Sequence, residues 1–242
     1  MELIVDGITK KFEEKIIFDN ASFRFEKGKI YGLLGRNGAG KTTLFNCISR
    51  NLVLDSGQIY IQDESQRNFD YDNTEIGFVY TMPHLPAFMT AYEFVRFFMD
   101  IHSKKITSMK QPEDYLLMVG ISKEDHHRLL KDFSHGMKNK VQLLVSLMVQ
   151  PPVLLLDEPL TSFDVVAAHE MKEMIIKMKA KSVVIFSTHI LQLAQDLCDE
   201  VVLLHHGKLR SIEAEHIRDK NFEAEVVALL TEEEESIDEA LR

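Results

Sequence analysis

Gly35-Arg36-Asn37-Gly38-Ala39-Gly40-Lys41-Thr42 decides the fold. The octet fits G-x-x-x-x-G-K-[ST]. The apolar run 30–34 precedes it, and Thr43-Leu44-Phe45-Asn46-Cys47-Ile48, a helical stretch, follows, which is the strand-then-helix setting the motif requires. The glycines let the backbone wrap closely, so that successive N–H groups point at phosphate oxygens. The N-terminus of the following helix adds a favourable potential for an anion. Lys41 is predicted to neutralise the β- and γ-phosphates of a nucleotide, and Thr42 to offer its hydroxyl to Mg²⁺.

Further short apolar runs lie outward from this loop. Residues 76–80, 153–156, 183–187 and 201–204 read, with 30–34, as buried strands. Val153-Leu154-Leu155-Leu156 has no polar alternation, which suits a strand covered on both faces. Val165, Ala168, Met171, Met174, Ile175 and Met178 recur at helical spacing and predict an amphipathic helix crossing between parallel strands. The core is therefore α/β. Alternating segments such as Phe23-Arg24-Phe25 and Ile59-Tyr60-Ile61, within residues 2–27 and 57–63, predict a small antiparallel sheet. From about residue 85 to 150 no run reads as a strand. Phe94, Val95, Phe97 and Phe98, then residues 115–119 and 141–149, carry apolar side chains at helical spacing, which predicts a helical subdomain inserted in the core.

The strand 153–156 ends in Asp157-Glu158, followed by Pro159. Acids at the end of a buried strand are rare unless paired or metal-bound. The C-terminal edge of a parallel sheet is where ligands bind in such folds. Asp157 is predicted to hold Mg²⁺, and Glu158 to polarise the attacking water. A phosphate loop with Asp-Glu fits P-loop NTPases, so the fold class is a RecA-like parallel core with the two additions above.

Composition bounds the rest. A chain of 242 residues, 45% hydrophobic, can bury one large core with an inserted subdomain. No 18-residue apolar stretch exists to span a bilayer, and Met1-Glu2-Leu3-Ile4-Val5-Asp6 lacks a basic-then-apolar leader. A cytoplasmic location is expected. Cys47 and Cys198 form no CxxC or Cys/His cluster and read as structural thiols. Of the net charge of −10, residues 223–242 contribute −7. The nearly neutral remainder has no basic footprint for nucleic acid. Residues 221–242 read as an acidic tail or short helix beyond a domain spanning 1–220. The pairs His126-His127 and His205-His206 read as structural, since neighbours on a strand point to opposite faces.

Three further segments narrow the class, and together with the loop and carboxylates they resemble the ABC ATPase family over roughly residues 1–215. Phe133-Ser134-His135-Gly136-Met137, with Ser134 lying 23 residues before Asp157, resembles its LSGGQ signature. Leu160-Thr161-Ser162-Phe163-Asp164 resembles its D-loop, and Ser187-Thr188-His189 closes a strand where the family places its switch histidine. Phe12 sits where the family stacks adenine. Gly136-Met137-Lys138 is similar to the bacterial exporter branch, whose single-domain ATPases pair with separate membrane subunits.

The resemblance implies an ATPase with ATP and Mg²⁺ as ligands. Gly35, Arg36, Asn37, Gly38, Ala39, Gly40, Lys41, Thr42 and Thr43 would cradle phosphate, with Phe12 at the base. Glu158, His189 and Lys41 would be catalytic. Thr42, Asp157 and Thr81 would serve the metal. Ser134, His135 and Gly136 would contact the nucleotide of an opposite subunit. One phosphate loop and one signature per chain imply a second ATPase subunit, an identical copy preferred over a related one, with two ATP molecules clamped between them. The partner would be an integral-membrane subunit, its cytoplasmic helix received near residues 88–98, and the chain would sit on the inner face of the membrane. Alternatives are a soluble, non-transport ABC ATPase and a regulatory ATP-binding subunit with weak hydrolysis. The chain departs from the pattern at three places. His135 replaces a glycine, Thr81 replaces the Q-loop glutamine, and Phe163 replaces the D-loop glycine.

Overall fold

The apolar runs of the sequence become the middle of a sheet. The computed structural model describes residues 1–106, 110–160, 165–212, 214–217, 219 and 222–231. The chain begins with β1 (Glu2–Phe12), β2 (Lys15–Glu26), β3 (Ile30–Leu34), α1 (Lys41–Ile48), β4 (Ser56–Gln62), β5 (Asn68–Phe69) and β6 (Ile76–Val79). Three helices follow: α2 (Ala91–Ile101), α3 (Pro112–Met118) and α4 (His135–Val149). The chain then returns through β7 (Val153–Asp157), α5 (Val165–Met178), β8 (Val183–Ser187) and α6 (Leu191–Leu197). It closes with β9 (Glu200–His205), β10 (Lys208–Ile212), α7 (Ala214–Ile217) and α8 (Phe222–Thr231).

The larger sheet has the order β10-β9-β3-β8-β7-β6. Its strands β9, β3, β8, β7 and β6 run parallel, and β10 pairs antiparallel with β9. Every residue of β3, β7 and β8 is buried, as runs without polar alternation demand. Burying one such leucine, for example Leu155, is worth about 1.5–3 kcal/mol. The crossover helix α5 lays Met171, Ile175 and Met178 against Leu154, Leu156 and Phe186. The smaller sheet, β2-β1-β4-β5, is antiparallel throughout. It is joined to β3 through Tyr31, whose ring meets Phe25 edge-on at 5.0 Å and whose hydroxyl accepts the Glu26 N–H at 2.9 Å.

The insertion is helical, as its periodicity predicts. Thr90 caps α2 in a reciprocal box: its Oγ1 accepts the Glu93 N–H, and Glu93 returns a carboxylate oxygen to the Thr90 N–H. Pro112 opens α3 and Ser134 caps α4. Val95, Leu116, Leu130, Val141 and Leu144 form a core of their own here, apart from the clusters beneath the sheets. Among the described residues no helix is long and apolar enough to cross a membrane.

One strand has no counterpart in the sequence reading, and one expectation needs correction. Lys208–Ile212 is a strand that the apolar runs do not reveal, because only Leu209 and Ile212 of its five residues are buried. And His205 and His206 do not diverge. His206 lies in the β9–β10 turn with φ 45°, off the strand pleat, so the two rings meet edge to face at 3.9 Å. Residues 161–164 of the D-loop segment and 232–242 of the acidic end lie outside the described residues.

Candidate nucleotide site at the sheet edge

Strand register assembles the site. Leu33 of β3 and Asp157 of β7 are both register partners of Ser187 on the intervening β8. Parallel strands end on one edge, so the loop after β3, the carboxylates after β7 and the Ser187-Thr188-His189 turn after β8 emerge together.

The loop between β3 and α1 is built by close approach. A Cβ on Gly40, where φ is 110°, would fall 2.5 Å from Ile17 Cγ2. One on Gly35 would lie 2.7 Å from the Leu204 carbonyl oxygen. Only glycine suits both places, and the backbone is thereby pressed against β2 and β9. Arg36, Asn37 and Gly38 form its exposed rim, while Ala39, Gly40 and Thr43 are half-buried. Lys41 begins α1, buried, and its ammonium donates to the carbonyls of Gly35 at 2.7 Å and Arg36 at 3.3 Å. Burial lowers the Lys41 pKa below the usual lysine value, against the opposing pull of Glu158 and Asp157. An anion in the loop would relieve that desolvation. The first N–H groups of α1 lie beyond its own hydrogen-bond ladder, so the loop presents donors and a cation to one point.

The two carboxylates part company at once. Asp157 is buried and satisfied on both oxygens: Ser187 Oγ donates to Oδ1 at 2.5 Å and Thr42 Oγ1 to Oδ2 at 2.9 Å. Glu158 takes a left-handed conformation, φ 49°, with its N–H given to Ser187 Oγ at 3.0 Å. A non-glycine residue there is uncommon and strained, and such strain gathers at functional sites. Glu158 Oε1 lies 3.2 Å from His189 Nδ1, both side chains partly open to solvent. Thr81 joins from the turn after β6, donating its hydroxyl to the Asp157 carbonyl oxygen at 3.0 Å.

Ser187 is the member that the sequence reading passes over. Its hydroxyl bridges Asp157 and the Glu158 amide at the centre of the cluster. A hydroxyl closing the apolar strand 183–186 was the available signal, and its pairing with Asp157 had none.

Lys41, Thr42, Thr81, Asp157, Glu158 and His189 are thus linked through this cluster. The other predicted positions lie elsewhere. Phe12 ends β1, half-exposed, with the Lys10 ammonium 5.3 Å from its ring centroid. Ser134, His135 and Gly136 form the tip of α4 on the helical subdomain, and Ser134 Oγ accepts the Met137 N–H at 3.2 Å.

The sequence model of a family described as ABC transporter matches residues 18–161, more than half of the chain, from β2 to just past the carboxylates. The chain belongs to the ABC transporter family. An ABC transporter ATP-binding protein of Bacillus subtilis, YxlF, is 31% identical over 208 residues, covering 86% of this chain and 69% of the relative. The lantibiotic transport ATP-binding protein SrtF of Streptococcus pyogenes is 29% identical over 227 residues, covering 91% of this chain and 94% of the relative. A solved ATP-binding subunit of an ABC transporter superposes with a TM-score of 0.78 at 23% identity, covering 96% of this chain and all of that one. The fold is therefore the ABC cassette fold: parallel core, antiparallel sheet and helical insertion.

Proposed function

We propose that this ABC transporter chain binds and hydrolyses ATP, and that two such subunits close on two nucleotides to drive export through a separate membrane subunit. The observation that carries the reading is the hydrogen-bonded Thr42–Asp157–Ser187 chain, which fixes the phosphate loop to the strand end carrying Glu158.

The loop 35–43 binds the phosphates, and Lys41 exchanges its carbonyl partners for the β- and γ-phosphate oxygens. Glu158 accepts a proton from the attacking water. The water oxygen bonds to the γ-phosphorus, and the bond to the bridging oxygen breaks with its electron pair left on ADP. His189, beside Glu158, orients that carboxylate and the γ-phosphate oxygens. Thr42 and Asp157 offer two hard oxygens 2.9 Å apart, a donor set that fits Mg²⁺, which takes few protein ligands beside phosphate. Thr81 donates its proton to the Asp157 carbonyl, so its lone pairs stay available to metal-linked water. When bound, the ion offsets phosphate charge.

Phe12 supports the adenine. Ser134, His135 and Gly136 serve the nucleotide of the opposite subunit, an identical copy being preferred, because each chain has one loop and one signature. Met82, Phe88, Phe97 and Ile101 are large apolar side chains exposed on and before α2, and they suit a docking face for the membrane subunit's cytoplasmic helix. Kinship with a lantibiotic transport protein supports a role in transport.

The test is Glu158→Gln, compared with wild type in steady-state ATP hydrolysis and in nucleotide binding. Turnover is expected to fall about 10²–10⁴-fold with binding intact. Equal turnover in the two proteins removes Glu158 from the role of base.

A further inference from the structure

Gln142 stands in the middle of a buried apolar stretch of α4, between Val141 and Leu143, which are fully buried. An amide at such a position is costly unless both its ends are bonded. Both are. Nε2 donates to the Tyr80 carbonyl oxygen at 2.9 Å, and Oε1 accepts the His84 N–H at 3.4 Å. One side chain of the helical subdomain thus grips both ends of the turn that follows β6. No apolar residue could do this, and an ionised carboxylate lacks the donor.

The turn so gripped carries Thr81, whose hydroxyl sits on the Asp157 carbonyl. The Tyr80 ring stacks on Phe78 at 4.0 Å, and Phe78 meets Phe45 of α1 edge-on at 5.9 Å. The turn is therefore held from the core by rings and from α4 by one amide. Thr81 has a short reach, so its contact with Asp157 depends on where the turn is placed.

We propose that Gln142 is a positioning residue for ATP hydrolysis: by clamping Tyr80 and His84 it holds the Thr81 hydroxyl on Asp157, and it ties the helix that Ser134 caps to the catalytic strand end. This rests on the ATPase reading above.

The experiment uses the full chain and a double-mutant cycle of Gln142→Met, which keeps length but removes the amide, with Thr81→Val. Each single variant is expected to lower kcat for ATP about tenfold with KM changed less than about twofold. The double variant should fall no more than about twofold below the worse single one, because both substitutions break one path. A merely structural amide would lower the melting temperature and leave kcat of the folded protein alone. Wild-type kcat in folded Gln142→Met, or effects that multiply to about a hundredfold in the double variant, overturns the proposal. If Gln142→Met does not fold, Gln142→Leu takes its place. Hydrogen exchange of the wild-type His84 amide decides independently of any variant: protection supports the clamp, and free-loop exchange overturns it. Glu158→Gln separates the two failures. If wild-type hydrolysis does not depend on Glu158, the ATPase reading fails and this inference falls with it. If it does, only the Gln142 outcome is in question.

Discussion

The sheet edge and the tip of α4 carry motifs of similar length, yet they are built differently. At the edge, Thr42 of α1, Asp157 of β7, Ser187 of β8 and the Glu158 amide bond to one another, with Asp157 and Ser187 in register and buried. At the tip, among the described residues, Ser134 bonds its own helix, and the core beneath it belongs to the insertion. Chemistry that must be placed to a fraction of an ångström sits on strand ends. Recognition proposed to serve another subunit sits on the helical insertion, which is tied to the parallel core by Lys140–Glu170 at 3.4 Å, by the Gln142 clamp and by Leu143 of α4, packed in the cluster under the sheet.

The strongest way to break this contrast is Lys41→Ala. Removing the buried cation from the loop should cut hydrolysis by about 10³-fold or more. Thermal stability of the helical subdomain, followed by hydrogen exchange in α4, should stay as in wild type. Loss of α4 protection in parallel would show the two regions to be one unit.

Next comes Leu144→Ala. Leu144 lies in the core of the insertion, and its truncation should cost about 2–5 kcal/mol, read from chemical denaturation. Affinity for nucleotide should change less than about threefold, because the phosphate loop rests on a different cluster that includes Leu44 and Phe45. A matching loss of affinity would sink the separation of cores.

Alkali probes the edge from the other side. Burial pushes the phenols of Tyr31 and Tyr71 up to about 12. Tyr31 supports β3, and Tyr71 donates to the Ile48 carbonyl at the end of α1 at 2.6 Å. Because the folded values are raised, the folded state prefers the neutral phenol. That contribution is full below about pH 10 and is lost as pH rises through about 12, a matter of about 2 kcal/mol per group. Ultraviolet titration should show Tyr31 and Tyr71 ionising late, and Tyr31→Phe with Tyr71→Phe should flatten the alkaline fall in stability. Ionisation of Tyr31 and Tyr71 near pH 10 in the folded protein would contradict it.

Much of the edge was legible from the residues, because its motifs are local. Gly35–Thr42 and Asp157-Glu158 each lie within eight consecutive positions, and their neighbours state which strand they end. What stayed hidden is what depends on register. Ser187 owes its place to pairing with Asp157, and nothing in Val183-Val184-Ile185-Phe186 fixes that alignment. Gln142 reads as an interruption in an apolar helix until the Tyr80–His84 turn is folded against it. The strand 208–212 escaped because two apolar residues in five are too few for a period, and the histidine pair because one residue of it belongs to a turn.

The smallest expected effect lies at the tip. His135 is the first residue of α4, half-buried, directly after the Ser134 cap. Ser134→Ala removes that cap and should cost about 1 kcal/mol. His135→Gly leaves the cap in place, and in a first helical turn glycine should cost less than about 1 kcal/mol. If the tip only presents backbone and the Ser134 hydroxyl to a neighbouring subunit's nucleotide, the imidazole is dispensable. Turnover of His135→Gly should then stay within about threefold of wild type. A larger rise would mean that the imidazole obstructs closure, and a larger fall that it contributes a contact of its own. Either result would show that the tip, like the edge, depends on the chemistry of individual side chains, and the contrast between the two regions would narrow to one of rigidity.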